Sequence, residues 1–200
     1  HSAPIDQRHS PSPAEDTEYG ILFHDPEVTP QGQFEAAHNM TDQTAALWLL
    51  VDRGGPEAES ALEAFYGRWK GEPLVIDKWF TLQILNAPPA GAVARAAALT
   101  EHADFDWKNP NRFRAVLGAL AMHHAGFHHA SGDGYRLLAD WLIRLDPVNP
   151  QTAARLCTAF DTWRRYDADR QALIRTQLER IKAKPKLSRD TDEMVSRILG

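Results

Sequence analysis

From about residue 33 onward the chain repeats one pattern, with apolar side chains recurring every three or four positions and polar ones between them. Leu62, Phe65, Tyr66 and Trp69 fall at the i, i+3, i+4, i+7 spacing of one helix face. Phe113, Val116, Leu117, Leu120 and Ala121 do the same, as do Leu137, Leu138, Trp141, Leu142 and Leu145. No segment sustains the strict alternation of a half-buried strand, so a sheet is not expected.

Punctuation residues divide this pattern into helices. Asn39, Thr41 and Asp42 offer N-caps for a helix to about Arg53, which Gly54-Gly55 ends. Pro56 suits the first position of a helix to about Lys70. Asp77 reads as the cap of a short helix carrying Trp79, Phe80 and Leu82, broken by Pro88-Pro89. Further helices are expected over 90–102 (rich in alanine), 110–124, 135–145, 150–164, 167–182 and 188–199. They come in pairs, and the first member of each pair begins near 42, 77, 110, 150 and 188. A repeat of 33 to 40 residues with short links predicts stacked helical hairpins. The expected fold is therefore all-α, a superhelical stack of antiparallel hairpins of the α-solenoid, HEAT/armadillo-like kind. An irregular helix bundle is the alternative. Residues 1–32 are rich in Ser, Pro and charge and read as a poorly ordered lead-in to a helical domain over 33–200.

Composition narrows the partners. Two hundred residues, 43% of them hydrophobic, suit one domain or part of a larger protein. The first residue is His1 and not Met, which leads us to expect a piece of a longer protein. A net charge of −5 with scattered Lys and Arg argues against nucleic acid, and no run has the length of a membrane span. The polar start HSAPIDQRHS shows no signal-peptide pattern. The one cysteine, Cys157, excludes an internal disulfide and fits a reducing, cytoplasmic compartment. Flanked by Leu156 and Phe160, it reads as a small buried hydrophobe rather than a nucleophile.

Three features invite chemistry. HHAGFHH places His123, His124, His128 and His129 close in sequence. Adjacent helical positions point about 100° apart, Gly126 is expected to break the helix between the two pairs, and no Cys or HExxH accompanies them, so a metal site is disfavoured. A cluster at a helix C-terminus, protonated towards the dipole, fits better. DKWF (77–80) places two large aromatics after a cap, which core packing explains well, with Lys78 beside Trp79 lining a pocket as the lesser alternative. The third feature is NPNRFR (109–114), which puts Arg112 and Arg114 in the first turn of a helix, where the dipole disfavours cations. A second Asn-Pro, Asn149-Pro150, follows 40 residues on, with Gln151 and Arg155 beyond it. In parallel helices of successive repeats, Arg114 and Arg155 would approach one rim and offer an anion two guanidinium groups. Pairing with local acids is the competing account.

Five blocks in order, NMTDQTAAL (39–47), IDKWFTLQ (76–83), NPNRFRAVLGA (109–119), GYRLLADWLIRLDPVNPQTAARL (134–156) and RRYDADRQ (164–171), resemble the C-terminal domain of bacterial aminopeptidase N. The resemblance runs from about Gln33 to Gly200. It implies a parent zinc metallopeptidase, a hydrolase that removes N-terminal residues from peptides. The zinc is held by HExxH and a downstream Glu in a separate catalytic domain, where a Gly-Ala-Met-Glu-Asn segment binds the substrate amine. None of these motifs occurs here, so this chain by itself is expected to hold no cofactor and to be inactive.

The resemblance further implies a superhelical domain that closes over the catalytic cleft and encloses a cavity. Its partners would be the N-terminal and catalytic domains and peptide substrates, with neither nucleic acid nor membrane involved. The positions matching Arg114, Arg155 and Gln151 would face the far end of a bound peptide, where its C-terminal carboxylate lies. Arg112, about 200° round the helix from Arg114, is expected to face solvent or pair with an acid. The reading from another class is a stand-alone helical-repeat adaptor for a peptide or protein.

Overall fold

The computed structural model describes residues 29–200, and the described residues are helical with no strand. Most of the expected lead-in and its apolar run Ile21-Leu22-Phe23 lie outside them. The chain enters through α1 (Pro30–Ala36), capped by the Thr29 side chain, which accepts from the Gly32 amide at 3.1 Å. Four repeated pairs and a final helix follow. They are α2 (Met40–Arg53) with α3 (Pro56–Trp69), α4 (Pro73–Leu85) with α5 (Ala92–Thr100), the composite helix Pro110–Met122 with α9 (Asp133–Leu145), α10 (Pro150–Cys157) with α11 (Ala168–Lys182), and α12 (Arg189–Leu199). The composite consists of α6 (Pro110–Phe113), a π-helical turn (Arg114–Gly118) and α7 (Ala119–Met122). A one-turn helix, α8 (His124–Phe127), leads out of it.

This is the predicted stack of helical hairpins. First members of the pairs pack on first members, α2 on α4, α4 on the π turn and α7, and α10 on α12. Second members run alongside, α5 on α9 and α9 on α11, and α11 also packs on the final helix α12. One contiguous core extends from Phe34 to Ile198. It is built from the predicted faces: Leu62 and Phe65 of α3, Phe113, Val116, Leu117 and Leu120 of the composite, and Leu138, Trp141, Leu142 and Leu145 of α9. Capping follows the sequence signals. The side chains of Asn39, Asn109, Asn149, Asp167 and Ser188 each accept a first-turn amide. Gly54 takes φ +71° where α2 ends.

Three expectations need correction. The fourth helix starts at Pro73, pre-set for the first helical position, and Asp77 lies a turn inside it and does not cap it. The helix expected over 150–164 is α-helical only to Cys157 and continues as 3-10 turns, Thr158–Phe160 and Trp163–Arg165. There the Thr158 hydroxyl donates to the Arg155 carbonyl at 2.7 Å, a side-chain bond that competes with the helical ladder. Gly126 does not break a helix. The break falls at His123 (ψ 74°), and Gly126 is inside α8, where a Cβ would lie 2.6 Å from that of Ala92.

Two polar fastenings hold the C-terminal end. Asp146, fully buried after α9, accepts from the Ser188 amide at 3.0 Å, from the Ser188 hydroxyl and from Lys184 Nζ at 3.4 Å. At the other end of α12, Trp163 Nε1 and Arg164 Nη1 both donate to the Ile198 carbonyl, at 2.9 and 3.0 Å. Arg164 Nη2 donates to the Leu199 carbonyl at 2.6 Å. These bonds occupy carbonyls that a helix end leaves without partners.

Candidate functional site

Asn109 caps the composite helix by accepting the Asn111 amide at 3.0 Å, and Pro110 supplies its first position. The two arginines that follow have opposite fates. Arg112 turns inward and is only 7% exposed. Its Nε donates to Asp77 Oδ1 at 2.5 Å, Nη1 to the Asp104 carbonyl, and Nη2 to the Pro73 carbonyl at 3.4 Å. The guanidinium carbon stands 5.1 Å from the centre of the Phe80 ring. Of the two expected environments it takes the acid partner and not solvent. The unfavourable dipole is outweighed because the side chain spends its charge on the start of α4 and the loop after α5.

Arg114 turns the other way, to the open side. Its Nη2 donates to Asn111 Oδ1 at 2.6 Å, and it makes no ion pair among the described residues. It begins the π-helical turn, a local widening often found at functional sites. Thr81 of α4 donates its hydroxyl to the Ala115 carbonyl of that turn at 3.1 Å, fastening it to the neighbouring repeat. Arg114 lines a depression of about 490 Å³ with Trp48, Lys78, Asn111 and Met122. A second depression of about 400 Å³ shares Thr44, Trp48 and Lys78 with it. The two form one trough across α2, α4 and the composite helix.

The structure brings Gln151 and Arg155 together in a different depression, of about 630 Å³, lined also by Asp190, Glu193 and Arg197 of α12. Arg155 makes no ion pair among the described residues, although acids share its depression. The expected approach of Arg114 and Arg155 therefore takes the form of two depressions on neighbouring repeats, not one. Adjacency of those repeats shows at Gly118, where a Cβ would lie 3.4 Å from that of Arg114 and 3.9 Å from Leu156 Cδ2. Lys78 lines both halves of the trough, whereas Trp79 is core, its Nε1 donating to the Leu62 carbonyl at 3.0 Å. Sequence reasoning missed Trp48, which it counted in no face. Its signal was an apolar residue off the buried stripe of Ala46, Leu47 and Leu50.

The histidines do not converge. Among the described residues no three His, Cys, Asp or Glu side chains are placed to hold a metal ion, so zinc finds no ligand set in them. His123 Nδ1 accepts the Gly126 amide at 3.0 Å, and its Nε2 meets the Ala87 carbonyl at 2.8 Å. His128 overturns the protonated-cluster expectation. It is buried, stacked 4.1 Å from the Tyr166 ring, with Nδ1 3.0 Å from the Tyr135 hydroxyl. Burial, and then the nearby His124 and Arg170, push its pKa from 6.5 down to about 4. The folded protein thus keeps His128 neutral where the unfolded chain protonates it. Stability from this group is complete above pH 6.5 and is lost as pH falls towards 4. At 1.36 kcal/mol per pKa unit this amounts to about 3 kcal/mol. Urea unfolding at pH 7, 5.5 and 4 is expected to show that loss, and His128→Gln to flatten it. Cys157 is fully buried, as expected, and burial pushes its thiol up to about 12, which removes it as a nucleophile.

Comparison with known proteins adds an independent line. A family model described as a domain of unknown function (DUF3458_C), ARM repeats, matches residues 21–200. Aminopeptidase N of Caulobacter vibrioides is 47% identical over 170 residues, covering 84% of this chain and 20% of that protein. Aminopeptidase N of Escherichia coli is 37% identical over 178 residues, covering 88% of this chain and 20% of that protein. A crystal structure of Legionella pneumophila aminopeptidase A in complex with aspartic acid superposes with a TM-score of 0.78 at 38% identity, covering 84% of this chain and 20% of that one. The chain spans about a fifth of the length of the relatives it matches.

Proposed function

We propose, from the premise that this chain belongs to the DUF3458_C ARM-repeat family and matches the C-terminal domain of aminopeptidase N, that it is the non-catalytic domain of a zinc-dependent aminopeptidase. In this reading it closes the active-site cavity and contacts the C-terminal part of the peptide. Hydrolysis, and the zinc that activates water for it, belong to residues outside this chain. The domain's partners are the remaining domains of the enzyme and its peptide substrates, in the cytoplasm. The observation that supports the substrate role is the contrast between the two arginines of NPNRFR. Arg112 is wholly spent on Asp77 and backbone carbonyls, while Arg114 stands in an open trough with most of its donors unspent.

A peptide held at its amino end presents a carboxylate some residues away. Guanidinium groups meet carboxylates with charge-assisted hydrogen bonds. Gln151 and Arg155, in the depression on the next repeat, provide the second contact for longer peptides. The adaptor reading shares the trough, but the relatives matched are aminopeptidases.

The test compares free-acid and amidated forms of one short peptide in the full-length enzyme. Arg114→Ala is expected to raise KM for the free acid about tenfold, the order of one lost hydrogen bond to a charged group, and to move the amide far less. Arg155→Ala does the same for longer peptides. Equal shifts for acid and amide overturn the carboxylate role.

A further inference from the structure

Five large apolar side chains are exposed among the described residues, and three of them, Trp48 at 41%, Leu49 at 39% and Met122 at 66%, line the one trough that holds Arg114. Exposed apolar residues scattered singly need no explanation, but their gathering in one concavity does. The charges there are equally selective. The lining contains three ionisable groups, Asp77, Lys78 and Arg114. Asp77 is neutralised by its 2.5 Å pair with Arg112, and neither Lys78 nor Arg114 makes an ion pair among the described residues. An apolar trough with two unspent cations and no unspent acid complements a ligand that is anionic at one point and greasy beside it.

We propose that this trough is the subsite for the last residue of a peptide, with Arg114 and Lys78 meeting the carboxylate and Trp48 and Met122 covering the side chain. It follows that peptides ending in a large apolar residue are preferred over those ending in glycine. The inference rests on the carboxylate role of Arg114 stated above and adds the side-chain selection. Trp48 gives the flat wall. Met122, at the end of α7, is unbranched and flexible and adapts to side chains of different shape. Thr81, also in the lining, fastens the π turn to α4.

The test uses the 200-residue chain, nitrogen-15 labelled, and follows the Trp48 indole N–H signal, assigned with Trp48→Phe. The probes are two tetrapeptides differing only in their last residue, leucine or glycine, each as free acid and as amide. The leucine acid is expected to bind about tenfold more tightly than the glycine acid, the order of one side chain in a hydrophobic pocket. Met122→Ala and Trp48→Ala are expected to shrink that ratio, and Lys78→Ala to weaken both acids alike. If both acids bind equally and both exceed their amides, the side-chain subsite is overturned while the role of Arg114 stands. If acid and amide bind equally, that role falls and the subsite falls with it. Absence of any shift at Trp48 overturns both. Shifts that grow with protein concentration without peptide put a second copy in the trough and also overturn the proposal.

Discussion

Arg112→Ala is expected to cost about 3–5 kcal/mol of unfolding free energy, the range for removing one partner of a buried ion pair. The size follows from what is left behind. Asp77 would remain in α4 as a largely buried carboxylate without its cation, its side chain only 17% exposed. The Asp104 and Pro73 carbonyls would lose their donor, and the face of Phe80 would border a void. Three separate parts of the chain, the start of α4, the loop after α5 and the start of the composite helix, are joined by this guanidinium. Thermal unfolding followed by circular dichroism is expected to fall by on the order of 10 °C. Arg112→Lys keeps the charge but not the fork of donors and is expected to recover only part of the loss. The Arg112→Ala, Asp77→Ala double variant is expected to be more stable than the sum of its parts, because it leaves no orphaned charge. Strict additivity would show that the pair is not coupled and that the loss is one of packing alone. Arg114→Ala, two residues away, is the internal contrast, since its side chain is exposed and its hydrogen bond is to Asn111 of the same helix.

That contrast also measures how far the sequence could be read. The helices of the repeated pairs, their pairing and most boundaries were legible because they depend on local signals: apolar period, Asn and Ser caps, proline at first positions, glycine after last ones; α1 and the one-turn α8 were not expected. The repeated Asn-Pro and the mismatch of two cations in a first turn were equally visible. Which arginine would be buried was not, because it depends on Asp77, 35 positions earlier. Asp77 itself was misread as a cap, since nothing local distinguishes a carboxylate beginning a helix from one placed a turn inside it to receive a distant guanidinium. His128 was misread for a related reason. Its neutrality comes first from burial, against Tyr135 and Tyr166 from distant parts of the chain, and then from the nearby His124 and Arg170. The π turn was illegible too, because its extra residue leaves the apolar spacing of Phe113, Val116, Leu117 and Leu120 intact to the eye. The candidate site inherited these limits: Arg114 and Arg155, with Gln151, were expected to approach one rim, and their division between two depressions depends on packing of the repeats.

Asp146→Ala is expected to cost a similar 3–5 kcal/mol, but in a different place and a different pH range. Asp146 gathers the Ser188 amide, the Ser188 hydroxyl and Lys184, and Ser188 in turn caps α12. Removing the carboxylate leaves buried donors without an acceptor at the start of the last helix, while Trp163 and Arg164 still hold its end. The expected loss is thus sub-global: hydrogen exchange accelerates in α12 first, with α2 to α5 nearly unchanged. Uniform acceleration across the chain would refute this partition. Acid separates Asp146 from His128. Burial of Asp146 raises its pKa, but the bonds from Ser188 and Lys184 outweigh that and leave it below its ordinary 3.8. The folded state therefore binds this proton less readily than the unfolded one. Its stabilisation is fully present above pH 3.8 and is lost only as pH falls through the lower folded value. The loss from His128 is already complete near pH 4. Wild-type stability should then fall in two steps, the first abolished by His128→Gln and the second by Asp146→Asn, which keeps an acceptor for the Ser188 amide but no longer titrates. A single step removed by either variant would mean that the two groups report one common unfolding of the C-terminal pair and not two independent fastenings.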